Sequence, residues 1–226
     1  MLSQFQRQVA EIIAGLEEAT DFALAGGAAL IVRGEVERQT RDLDFFGLTP
    51  AAVDHLVPAV ESALRDAGFS VNRIHDRPGF ARLVVVGGGD RTEVDLAADA
   101  RLFPVELGEP APTLQALELA VDKVLALFGR AEARDFVDLL ALEPRYGLGR
   151  LCELAAEKDR GFSPAVFAEM LGRFNRLRRD EFEIDDEQYN RLITEIKRWQ
   201  AIALDFGKTT PHRPERQRDD DLGFGL

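Results

Sequence analysis

The chain has 226 residues, 46% of them apolar and 30% charged, with a net charge of −12; that allows one domain with a sizeable core or two small ones. The acidic balance withholds the global positive footprint on which nucleic-acid binders rely, and the single cysteine, Cys152, excludes an internal disulfide and any cysteine-rich metal site. No apolar run approaches the ~20 residues of a membrane span and no basic-then-apolar signal opens the chain, so a cytoplasmic protein without membrane contact is expected.

The start places Phe5, Val9, Ile12, Ile13 and Leu16 at helical spacing, which predicts a helix over about Leu2 to Ala19. An apolar run, Phe22 to Ala25, predicts a strand ending in Gly26-Gly27, and Ala28 to Val32 fits the first turns of a helix. After a polar turn, Arg38 to Arg41, carboxylates alternate with apolar residues in Asp42-Leu43-Asp44-Phe45-Phe46. Period-two alternation is that of a strand, so Asp42 and Asp44 project from one face. Two like charges that close repel unless a cation lies between them. Paired glycines let backbone N–H groups approach an anion at a helix N-terminus, where the dipole also favours negative charge. An anion cradle beside two carboxylates is what a nucleoside triphosphate with Mg²⁺ requires. Each feature has a plainer reading, a turn for the glycines and a solvated edge for the Asp-x-Asp. Their order along the chain favours the functional one.

Thr49 as N-cap and Pro50 at the first position open a helix to about Ala67, closed by Gly68. Phe69 to Ile74 and Phe80 to Val86 predict strands, and Gly87-Gly88-Gly89-Asp90 predicts a hairpin turn into a strand over Thr92 to Ala97. The result is an α/β half with a mixed sheet of four or five strands and helices against it. On the last strand Glu93 and Asp95 share one face, and either could complete the cation site begun by Asp42 and Asp44. An exposed hairpin strand with polar outward residues is the plain alternative.

From Thr113 the pattern is helical only. Thr113 is expected to cap the first of these helices. Others are expected over about Glu132 to Leu142 (ending before Pro144), Leu148 to Lys158, Pro164 to about Leu177, and Asp185 or Asp186 to about Phe206. Pro110-Ala111-Pro112 marks the natural boundary, which divides the chain into 1–110 and an all-helical 111–206. Residues 207–226 are polar without period and are expected to be disordered. Cys152 reads as core. Arg173, Arg176, Arg178 and Arg179 read as a solvated helix face rather than a nucleic-acid patch. His55, His75 and His212 lack metal-ligand spacing, and no Ser-His-Asp or Cys-His arrangement is suggested.

The order strand, Gly26-Gly27, helix, strand with Asp42-x-Asp44 resembles the signature of the DNA polymerase β-type nucleotidyltransferases. Lys123, Ala126-Leu127, Arg130, Arg134-Asp135 and Asp138-Leu139 are similar to the abortive-infection AbiEii/AbiGii toxin type of that superfamily. So are the GGAAL opening and Arg38, Thr40 and Arg41 before Asp42-Leu43-Asp44-Phe45. The resemblance covers about residues 22–142. It implies a nucleotidyltransferase-like mixed sheet with flanking helices as catalytic domain, followed by an all-helical C-terminal half that closes the cleft. It implies a phosphotransfer enzyme (EC 2.7.7-like) that moves a nucleoside monophosphate from an NTP to a hydroxyl acceptor and releases pyrophosphate. Asp42 and Asp44 would hold Mg²⁺ or Mn²⁺, with Asp95 as third metal carboxylate assisting deprotonation and Glu93 as its substitute. Gly26 and Gly27 would hold the terminal phosphates, Lys123 and Arg41 would touch the nucleotide, and Asp138 would orient Lys123 or bind the acceptor. The resemblance implies tRNA as acceptor, with the chain a toxin neutralised by a cognate antitoxin protein. The alternatives are transfer to a small molecule or a protein side chain, which the acidic charge favours over RNA, and a non-catalytic relative that binds a partner protein. From the residues alone, Lys123 reads as a surface lysine and Asp138 as a partner of Arg134 or Arg130.

Overall fold

The computed structural model describes residues 1–209. Ser3 opens the first helix, α1 (Gln4–Ala14), through a reciprocal cap: its hydroxyl accepts from the Gln6 N–H, and its own N–H donates to the Gln6 side chain. Gly15 stops α1, and Glu17–Ala19 forms a separate 3-10 turn, so the single helix expected to Ala19 is broken in two. Next come β1 (Ala23–Ala25), α2 (Gly26–Val32) and β2 (Asp42–Gly47). Helix α3 (Pro50–Asp66) starts as expected, with the Thr49 hydroxyl accepting from the Ala52 N–H and Pro50 at the first turn. Strands β3 (Ser70–Arg77), β4 (Phe80–Gly87) and β5 (Asp90–Ala98) follow.

The five strands form one sheet in the order β1-β2-β5-β4-β3. Only the β2–β5 pair is parallel, so the sheet is mixed. Its register sets Asp44 opposite Asp95 and Asp42 opposite Glu93, which puts all four acidic residues on one face. Leu43, Phe45, Val94 and Leu96 are buried on the other. Helix α3 lies against β4 and β5 and buries Val53, Leu56, Val57, Val60 and Leu64, a spacing of three and four residues that makes one apolar stripe.

The helical half comprises α4 (Ala116–Gly129), α5 (Ala133–Tyr146), α6 (Leu148–Lys158), α7 (Pro164–Leu171) and α8 (Asp186–Thr209). Three boundaries differ from the sequence reading. Thr113 does not cap α4: its backbone pairs with Glu106 in both directions at 2.9 Å, and its hydroxyl accepts from Arg33. With Thr113 held in an extended bridge, α4 begins after Gln115 instead. Helix α5 runs through Pro144 to Tyr146. A proline one residue inside the last turn removes a single backbone bond, while Leu142 and Glu143 stay buried and Glu143 accepts from the Leu148 N–H. Helix α7 ends at Gly172, and residues up to Arg176 form a 3-10 turn.

The link between the halves is stitched to the sheet edge. The Leu24 N–H donates to the Pro112 carbonyl at 2.7 Å, and the Leu114 N–H donates to Leu24 at 3.0 Å. The apolar core runs without a break from Leu2 through Cys152 and Trp199 to Ala203. Among the described residues, no helix is long and apolar enough to cross a membrane. Helix α8 continues three residues past Phe206; the rest of the tail expected at 207–226 lies outside the described residues.

Candidate active site

Strand alternation and sheet register together aim Asp42, Asp44 and Asp95 into one cleft of about 350 Å³, with Gly26 and Gly27 at its rim. The glycines have a specific packing reason. Gly26 has φ +57°, and a Cβ there would lie 1.9 Å from Asp44 Oδ2. A Cβ on Gly27 would meet Arg38 Nη2 at 2.6 Å. No larger residue fits while these two side chains lie across the turn.

Lys123 also lines the cleft, from α4, but it is not a surface lysine. It is 5% exposed, with Nζ 3.1 Å from Asp135 and 2.8 Å from Asp138. Those two aspartates, one helical turn apart on α5, are held from the other side. Arg38 grips Asp138 with two bonds of 2.8 Å, and Arg130 bonds Asp135 at 3.0 and 3.1 Å. Asp138 therefore pairs with Lys123 and Arg38 rather than with Arg134 or Arg130. It lies wholly buried beneath the cleft floor rather than in its lining.

The remaining cations face the carboxylates. Arg82 of β4 donates two bonds of 2.6 Å to Asp95. Arg134 of α5 reaches Asp42 at 3.2 Å, and the Thr40 hydroxyl donates to Asp42 at 2.7 Å. The Asp44 carboxylate has no hydrogen bond or ion pair among the described residues.

These partners separate the acidities. Burial, with Asp42 and Asp95 nearby, pushes the Asp44 carboxyl up to about 7. Burial opposes ionisation of Asp42 too, yet the Thr40 hydroxyl and Arg134 outweigh it and hold that carboxyl below its ordinary value. Asp135 and Asp138 are likewise held low against their burial, above all by Lys123, with Arg130 and Arg38 adding to it. Lys123 is raised in turn, because the two carboxylates overcome its desolvation.

Gly26, Gly27, Asp42, Asp44, Asp95 and Lys123 thus meet in one cleft. Arg41 does not. It is exposed just before β2 and lines a separate cavity of about 670 Å³ on the far side of Arg38 and Arg134. Glu93 stands outside the cleft lining, bonded to Arg91. Sequence reasoning missed Arg82, although the signal was present. A two-residue turn at Gly88-Gly89 pairs Gly87 with Asp90, and counting back along both strands sets Arg82 opposite Asp95.

It also missed a second charged cluster. Lys158, its side chain 2% exposed, lies 2.9 Å from Asp99 and 2.7 Å from Glu118 and bonds Asp122. Glu118 also accepts from the Leu102 and Phe103 N–H groups, fixing the chain that leaves β5.

The donor set suits a hard divalent cation, which prefers carboxylate oxygens. Asp44, without a bonded partner and set beside Asp95 in register and Asp42 on its own strand face, is the observation that fits such an ion. Among the described residues no three His, Cys, Asp or Glu side chains form a ready metal-ligating group. The reason is visible: Asp42 and Asp95 turn oxygens toward Arg134 and Arg82.

Comparison with known proteins shows the family and the fold. The model of a family described as nucleotidyl transferase AbiEii toxin, type IV TA system, matches residues 10–221, and the chain belongs to that family. Among solved structures, JHP933 from Helicobacter pylori is similar at 19% identity and TM-score 0.51, over 92% of this chain and 94% of that one. A second H. pylori structure, described provisionally as a nucleotidyltransferase, is similar at 18% identity and TM-score 0.49, over 91% of this chain and 92% of that one. None of the curated proteins matches. The fold and the family are those of a nucleotidyltransferase.

Proposed function

We propose that this member of the AbiEii nucleotidyltransferase family transfers a nucleoside monophosphate from an NTP to a hydroxyl acceptor, with Mg²⁺ or Mn²⁺ as cofactor. The observation that carries the reading is the convergence of Asp42, Asp44 and Asp95 beside Gly26-Gly27 in one cleft. Asp42 and Asp44 are the residues that would hold the cation, with Asp95 completing the set. When bound, the cation would neutralise charge on the phosphate oxygens. Asp44 keeps its proton near neutral pH only while no cation offsets Asp42 and Asp95. Asp95 stands next to it in register, as a base for the acceptor hydroxyl must.

Gly26 and Gly27 are the candidates to hold the terminal phosphates, at a turn across which the Asp44 and Arg38 side chains lie. Lys123 is an immobile positive charge at the floor, suited to the nucleotide or leaving group, and Asp138 orients it. The helical half supplies the wall opposite the sheet through Lys123, Arg130 and Arg134. The description of the family as a toxin of a type IV system supports a cognate antitoxin as partner, and a tRNA hydroxyl is the acceptor that the resemblance brings.

The test is incubation with each of the four α-labelled NTPs, Mg²⁺ or Mn²⁺, and separately total tRNA, small hydroxyl compounds and protein. Labelled product from wild type and none from Asp44→Asn is the expected result. Absence of product with every acceptor, or equal product from the variant, contradicts the proposal.

A further inference from the structure

The cations around the cleft fall into two classes by what holds them. Lys123, Arg38 and Arg130 are anchored by Asp135 and Asp138, whose side chains are fully buried and lie outside the cleft lining. Nothing that enters the cleft competes for those aspartates. Arg82 and Arg134 are held differently, because their partners are Asp95 and Asp42, two of the cleft carboxylates themselves. Arg134 holds Asp42 by one contact of 3.2 Å with its side chain 41% exposed, a pair that contributes little, whereas the bidentate Arg82–Asp95 pair is strong and opens only to a ligand that offers both groups a new partner. Arg130 is as exposed, at 49%, so the partner separates the classes: a ligand in the cleft can take Asp42 and Asp95 but cannot reach Asp135 and Asp138.

Asp99 and Asp122 are taken by Lys158, and Lys123, Arg38 and Arg130 by Asp135 and Asp138, which leaves Asp42, Asp44 and Asp95 against Arg82 and Arg134 as the charges open to a ligand. A divalent cation alone would turn two guanidinium groups out beside a doubly charged ion. A polyphosphate alone would face unshielded carboxylates. Only the two together leave every charge with a partner.

We propose that Arg82 and Arg134 are exchangeable counter-ions: they release Asp95 and Asp42 to the cation and pass to the oxygens of the polyphosphate. The inference rests on the function proposed above and adds to it two phosphate-binding residues and a reason for cation and phosphate to bind interdependently. Arginine suits the part, since its planar fork matches carboxylate and phosphate alike.

The experiment is calorimetric titration of the full chain with MgCl₂ alone and with inorganic tripolyphosphate plus MgCl₂, which removes the nucleobase from the question. Arg82→Ala and Arg134→Ala should each bind Mg²⁺ alone several-fold more tightly, since a carboxylate is freed, and Mg²⁺-tripolyphosphate about tenfold more weakly. Arg82→Lys and Arg134→Lys keep the charge, fall between, and serve if an alanine variant folds poorly. Arg91→Ala, exposed and paired with Glu93 outside the cleft, should match wild type. Alanine variants that bind tripolyphosphate like wild type overturn the inference while leaving the proposed function standing. So do variants that bind both ligands more weakly, since the arginines would then only steady the carboxylates. A wild type that binds neither ligand overturns both.

Discussion

Asp44, half-buried in the cleft, and Asp138, fully buried behind it, have opposite surroundings. Asp138 is gripped by Lys123 and Arg38 and held well on the ionised side, against its burial. Asp44 is half-buried, its neighbours are two more carboxylates and no cation bonds it; desolvation and those charges push its carboxyl up to about 7. The first arrangement is self-sufficient and ties α4 to α5 and to the loop before β2. The second leaves a carboxylate without a partner, as the proposed cation site requires and a structural ion-pair network does not.

If the Lys123 network is structural as well as electrostatic, Lys123→Ala is the most damaging change. It leaves two buried carboxylates with one cation each, and we expect a loss of about 3 kcal/mol in urea unfolding. A loss under about 1 kcal/mol would erase the contrast between the two regions.

Gly26→Ala comes next, at about 2 kcal/mol, because the new methyl meets Asp44 Oδ2 in a left-handed backbone conformation. Gly34→Ala sharpens this: Gly34 has φ +71° but open space around it, so its cost should be about 1 kcal/mol. Equal melting of the two variants would deny the close approach of Asp44.

The pH dependence has a definite sign. A carboxyl raised to about 7 in the folded chain keeps a proton that the unfolded chain has already lost above its ordinary value near 4. Stability therefore falls as pH rises through that window and levels off above about 7. Asp122, also raised to about 7, adds a slope of the same sign. Asp44→Asn should remove its share of the slope and stabilise the fold by about 1–3 kcal/mol at pH 8. Smallest of all, Arg65→Ala breaks a half-exposed pair with Glu61 and should cost under about 0.5 kcal/mol.

What the sequence disclosed follows the range of the interactions. Asp42-x-Asp44 and Gly26-Gly27 were legible because strand parity and a glycine turn are local properties. The choice of Asp95 over Glu93 as the cleft carboxylate required the parallel register of β2 on β5, which no local pattern encodes. Arg41 was drawn toward the cleft by the resemblance, yet it shares the parity of Leu43, and odd positions there do not face the carboxylates. The burial of Lys123 was hidden because its partners lie on the next helix, with Arg38 arriving from a hundred residues away. The cap at Thr113 failed for the same reason, its hydroxyl being engaged by Arg33 across the fold.

The most direct test of the account is a paired measurement on wild type and Asp44→Asn: melting temperature with and without millimolar Mg²⁺ and NTP, and transfer of labelled nucleotide. We predict that wild type melts higher when Mg²⁺ and NTP are present. Asp44→Asn should melt higher than wild type without them, gain nothing from them and transfer nothing. A destabilised Asp44→Asn that still transfers nucleotide would contradict the account.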